Sequence, residues 1–118
     1  MDKLEQLARA AYQHEGLLVR SLTQDLLRET SSLQDIPRPT SQDTRLLSIA
    51  ASLLELLAQR QQQAPPAWVQ DIGPMPEPFY LLETALLMKH LRELCETQAP
   101  EPLKKRNLYA PPNYLAFA

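Results

Sequence analysis

The chain is poor in the residues from which most small functional sites are made. Its 118 residues include one Cys, two His and two Gly. One Cys excludes a disulfide scaffold, and with only two His it excludes a Cys/His zinc site. Two Gly leave little for a phosphate-cradling loop, and the sequence has no G-x-G-x-x-G, Walker or G-x-S-x-G motif. Aromatic residues are 6% of the total, so the core must be aliphatic, and 23 Leu supply it. The formal net charge of −2, with 22% charged residues, fits neither a disordered acidic chain nor a nucleic-acid binder of bulk positive charge. The longest apolar stretch, Leu46 to Ala58, contains Ser48, Ser52 and Glu55 and is too short and too polar to span a bilayer. Charges of both signs run through Met1 to Gln6 in a helical pattern, which predicts no signal peptide. With Cys95 as a lone thiol, a reducing compartment and a cytoplasmic protein are expected.

What is present is aliphatic residue and proline. At 44% hydrophobic, the chain has room for a single domain with a modest core. Of its 11 Pro, only Pro37 and Pro39 precede residue 64, and nine fall between Pro65 and Pro112. Residues 1–64 can therefore hold long helices, and the rest must be broken into pieces. Leu4, Leu7, Ala8, Ala11, Leu18, Leu22 and Leu26 recur at helical spacings and predict one long helix from about Asp2 to Ser32. Gly16 lies in its middle and marks a bend or a close crossing. A second helix starts near Thr40, capped by Thr40 or Ser41, and ends before Pro65-Pro66. Its polar residues Arg45, Ser48, Ser52, Glu55 and Gln59 form one narrow stripe on an otherwise apolar rod. Such a helix is buried on more than one side. Either the C-terminal half or another chain must cover it.

The second half follows from its prolines. Residues 65–78 form an extended connector, with Pro74, Pro76 and Pro78 alternating and Trp68 pinning it to a core. A third helix is predicted within 79–99, its apolar face made by Leu82, Ala85, Leu86, Met88, Leu91, Leu94 and Cys95. Residues 100–118 form a tail with at most one helical turn. The fold expected is all-α: a long antiparallel helical hairpin, a third helix, an extended proline-rich connector and a C-terminal tail.

Candidate sites are few. His14, on the apolar side of the first helix, is expected at the edge of the packing with its ring donating to a carbonyl. His90 is expected in solvent. Cys95 sits near a helix C-terminus between Glu93 and Glu96, which disfavours a thiolate. It is expected as a small core residue. Lys104-Lys105-Arg106 is the one cationic cluster, giving residues 100–118 a net +2 against Glu101. It is either a contact to an acidic partner or phosphate, or a solvated turn; three charges are too few for DNA affinity. Tyr109, Tyr114 and Phe117 place three of the six Tyr and Phe within the last eleven residues. Such a tail either docks on a partner or folds back over its own helices.

Pro66-Ala67-Trp68-Val69, Pro78-Phe79 and the run from Pro100 through Lys104-Lys105-Arg106-Asn107 to Tyr109 form a pattern. In it this half of the chain resembles short bacterial helical proteins with a Pro-x-x-apolar-basic-basic-Arg-Asn turn. Their genes often lie beside a nucleotidyltransferase-type gene. The resemblance implies an antitoxin-like partner of that enzyme, and it transfers no catalytic residue. The function expected is therefore a non-catalytic binding protein that restrains such an enzyme by occlusion, without cofactor or metal. Trp68, Phe79, Lys104, Lys105, Arg106, Asn107, Tyr109, Tyr114 and Phe117 would be the partner contacts. The other reading is a self-contained structural homodimer with its tail packed on its own body. No pairing of a nucleophile with a base favours an enzyme, and no helix face rich in Arg, Asn or Gln favours a DNA-binding regulator.

Overall fold

A computed structural model describes residues 2–116. Among these residues there are five α-helices: α1 (Lys3–Tyr12), α2 (Gly16–Glu29), α3 (Thr44–Arg60), α4 (Lys89–Gln98) and α5 (Glu101–Lys104). Two short strands, β1 (Phe79–Tyr80) and β2 (Leu108–Tyr109), pair in parallel. The fold is mostly helical.

The single long helix expected over Asp2 to Ser32 is two helices. Asp2 caps α1 by accepting the Glu5 N–H at 2.8 Å. The helix ends in a paired-bond C-cap. The Glu15 N–H donates to Ala10 O at 2.9 Å and the His14 N–H to Ala11 O at 3.2 Å. His14 takes the left-handed conformation, φ 59°, that this motif requires. Gly normally fills that position; here it is a His, and Gly16 instead opens α2. The terminator thus carried no glycine signal. α2 folds back along α1, and Lys3 near the start of α1 lies 3.8 Å from Asp25 and 3.7 Å from Glu29 near the end of α2.

α3 is the centre of the molecule. It begins later than expected, capped by Asp43 rather than Thr40 or Ser41; the Asp43 carboxylate accepts the Arg45 N–H at 2.9 Å. It ends like α1, with Gln62 at φ 57° and the Gln63 N–H on Ala58 O at 2.8 Å. Leu46 to Leu54 and Leu56 to Ala58 are all buried. α1, α5 and the 3₁₀ turns Leu33–Asp35 and Ala67–Asp71 pack around the helix. The apolar girth that suggested a second chain is covered by the chain's own C-terminal half, so α3 supplies no reason for an oligomer.

The polar stripe of α3 is the seam to that half. Ser48 Oγ donates to Gly73 O at 2.7 Å, and Arg45 forms a fork to Glu77 at 3.0 Å. Glu55 receives Lys105 Nζ at 2.7 Å and the Arg106 guanidinium at 3.0 Å. The connector is pinned as expected, Trp68 Nε1 donating to Ile36 O at 2.8 Å, but it is not extended throughout: Ala67–Asp71 winds into a 3₁₀ turn, closed by the Ile72 N–H on Val69 O at 3.2 Å.

The third helix expected from about Phe79 begins only at Lys89. Phe79-Tyr80 is drawn into strand pairing instead: the Phe79 N–H donates to Asn107 O at 3.1 Å and the Leu81 N–H to Tyr109 O at 2.9 Å. A 3₁₀ turn, Glu83–Leu86, then leads to α4. Parallel pairing needs a crossover, and α4 and α5 form it. The tail is part of the core, with Leu108 and Ala110 fully buried and Leu115 1% exposed. Arg60 holds it by donating to the carbonyls of Tyr114 and Pro112. It is not a free arm.

Arg106 is 4% exposed and donates to Glu55, to Ile72 O at 3.2 Å, to Val69 O at 2.8 Å and to Pro102 O at 3.2 Å. Removing one partner of a buried ion pair costs about 3–5 kcal/mol. Arg106→Met is therefore expected to destabilise the chain by about that amount in urea unfolding, whereas Lys104→Met, on an exposed side chain, changes stability by less than about 0.5 kcal/mol. Gln62→Gly relieves a left-handed non-glycine cap and is expected to stabilise by about 0.5–1 kcal/mol in the same measurement.

Candidate functional site

The break between α1 and α2, the segment after β1 and the tail enclose a cleft of about 440 Å³. That volume lies in the range of ligand and peptide side-chain pockets. Its apolar walls include Ala11, Val19, Leu81 and Leu115, and its polar lining residues are His14, Glu83, Thr84 and Asn113. Two of the four non-glycine residues with positive φ, His14 and Leu115 at 63°, line it. Left-handed backbone at a bulky residue costs free energy and persists only where surrounding packing imposes it.

His14 is held at one edge and on one face. Its Nε2 lies 2.8 Å from Tyr80 O, and a carbonyl only accepts, so Nε2 carries the hydrogen. Its ring stacks on Phe79 at 5.3 Å and 5°, and Phe79 also stacks on Tyr12 at 5.2 Å and 17°. This is the edge-of-core, carbonyl-donating histidine expected from its position. In the neutral ring, Nδ1 remains an acceptor. Glu83, Thr84 and Asn113 are exposed, with no side-chain partner among the described residues.

Two short runs of apolar side chains lie in water. Leu17, between Gly16 and Val19, is 87% exposed and Leu18 44%. After Glu83 and Thr84, Leu86 is 51%, Leu87 85% and Met88 56% exposed. The sequence placed Leu18, Leu86 and Met88 on buried helix faces. The broken first helix and the late start of α4 turn them outward. Single exposed leucines are ordinary; consecutive ones such as these are less so.

The expected contact residues do not gather here. Tyr114 lines the cleft, and Phe79 lies behind it under His14. Trp68 is half-buried at Ile36. Lys105 is spent on Glu55, and Lys104 alone of the basic turn is exposed without a partner. Arg106 is interior and is corrected from a contact to a structural residue. Asn107, at φ 66°, donates to Met75 O at 3.3 Å and accepts the Tyr109 hydroxyl at 3.2 Å. Tyr109 is half-buried against Tyr80, ring centres 5.5 Å apart. Phe117 lies outside the described residues.

The remaining chemistry is quiet. Cys95 is fully buried, as a core residue should be, and burial followed by the Glu96 charge pushes its thiol above the ordinary value. Among the described residues no three His, Cys, Asp or Glu come together to hold a metal ion, and no helix is long and apolar enough to cross a membrane. Compared with family models, curated proteins and solved structures, the chain matches none.

Two outcomes follow. Burial pushes the Tyr114 phenol well above its ordinary 10.0. The folded chain thus holds this proton more tightly than the unfolded one, so its contribution to stability is complete below pH 10 and declines as the pH rises past it. Between about pH 9 and about pH 11, urea midpoints should fall more steeply for the natural chain than for Tyr114→Phe. Cys95 should react with a disulfide reagent at neutral pH only as fast as the chain opens, and at once in denaturant.

Proposed function

We propose that this chain is a non-catalytic binding protein of the cytoplasm that attaches to and restrains an enzyme. The observation that carries this reading is the two solvent-facing apolar runs, Leu17-Leu18 and Leu86-Leu87-Met88. Side chains of this kind gain most when a second protein covers them. The partner class, a nucleotidyltransferase-type enzyme held in an antitoxin-like manner, rests on the resemblance of residues 66–118. Occlusion would be performed by the folded body and these apolar runs, because Leu103, Leu108, Ala110 and Leu115 tie the tail to the chain's own core.

Co-expression with a nucleotidyltransferase-type protein from a neighbouring gene, if one is encoded there, should give a stoichiometric complex in size-exclusion chromatography and suppress nucleotidyl transfer. Leu17→Asp with Leu87→Asp should weaken that complex at least about tenfold, roughly 1.4 kcal/mol. Both sites are exposed, so stability of the isolated chain should move by less than about 0.5 kcal/mol. Absence of a complex, with the chain a dimer by light scattering, overturns the reading in favour of a structural homodimer.

A further inference from the structure

The cleft between the start of α2, the Glu83–Leu86 turn and the tail has a chemistry of its own. Its floor is apolar, and its one ionised lining residue is Glu83. No cation of the described chain pairs with that carboxylate, whereas Glu55 and Glu77 each hold an arginine. The Nε2 of His14 is committed to Tyr80 O, so that edge of the ring is closed to an occupant. The cleft therefore joins an apolar pocket to one rim carboxylate that no cation of the described chain neutralises. An acidic or phosphate-bearing occupant would meet repulsion from Glu83, and a purely apolar one would leave its charge unmatched.

We infer that the cleft receives a segment of the protein partner in which a large apolar side chain stands next to a lysine or arginine. The apolar side chain fills the space between Val19, Leu81 and Leu115. The adjacent cation reaches Glu83 at the rim, where Thr84 and Asn113 supply further polar partners. Charge complementarity selects this occupant over others of equal size, and rim charges act on specificity more than on total affinity. The inference rests on the protein-binding reading and specifies its partner's chemistry.

The test is an NMR titration of the full ¹⁵N-labelled chain with two probes, acetyl-Phe-Lys-amide and acetyl-Phe-Glu-amide. The lysine probe should shift the amides of Ala11, Val19, Leu82 and Thr84 together, at a concentration about two- to fivefold below that needed by the glutamate probe, as an exposed ion pair allows. Glu83→Gln, on a side chain without internal partners, should keep the fold and abolish the preference. Equal affinity for both probes, shifts away from the cleft or no binding overturns the inference. The two readings fail separately. A complex with the enzyme that is weakened by Leu17→Asp and Leu87→Asp but indifferent to Glu83→Lys keeps the binding role and overturns the occupant. A lysine-selective cleft in a chain that forms no complex supports the cleft chemistry and overturns the antitoxin-like role.

Discussion

The guanidinium of Arg106 is the point at which the parts of this protein meet. It joins α3 through Glu55, the proline-rich connector through the carbonyls of Val69 and Ile72, and α5 through Pro102. A cation out of water is tolerated only when its donors are matched, so these four groups must arrive together. The backbone continues the same junction. Met75 and Phe79 donate to the carbonyls of Arg106 and Asn107, which sets β1 against β2. The Tyr80 carbonyl is thereby placed where His14 reaches it, and the segment after β1 becomes one wall of the cleft. A residue that reads as part of a surface cationic run is thus the internal strut from which the candidate site is positioned.

The same junction explains how a short chain closes its core without a second copy. α3 is apolar around most of its girth, and its polar stripe is too narrow to be a solvated face. Three of the stripe's five members meet the second half of the chain: Arg45 meets Glu77, Ser48 meets Gly73, and Glu55 meets Lys105 and Arg106. Prolines keep the connector from forming a long helix, and the carbonyls of its short 3₁₀ turn and of Ile72 and Gly73 after it accept these donors. Apolar surface left over lies elsewhere, at the start of α2 and on the way into α4.

The sites were legible where local chemistry decided them. His14 as a carbonyl-donating residue at the edge of packing, Cys95 as a small core residue and Trp68 as a pin were readable from neighbours a few residues away. The cleft was not. Its walls come from α1, α2, the segment after β1 and the tail, the last two about seventy to a hundred residues from the first two in sequence. The exposed leucines sit at helical spacings that mimic a buried face. The helix ends were hidden for a related reason. His14 and Gln62 fill left-handed caps in which glycine would have announced the stop.

By itself, the sequence determined a mostly helical chain, a central apolar helix with a narrow polar stripe, a broken proline-rich second half and the absence of motifs for phosphate or metal chemistry. These follow from periodicity and composition, which act over a few turns of chain. Tertiary structure alone decided that Phe79-Tyr80 is a strand, that α4 starts at Lys89, that Arg106 is interior and that the tail belongs to the core. Each of those depends on hydrogen bonds between distant segments. Such bonds form only when the chain has closed around α3, where an unmet donor or acceptor costs more than local helix propensity can return.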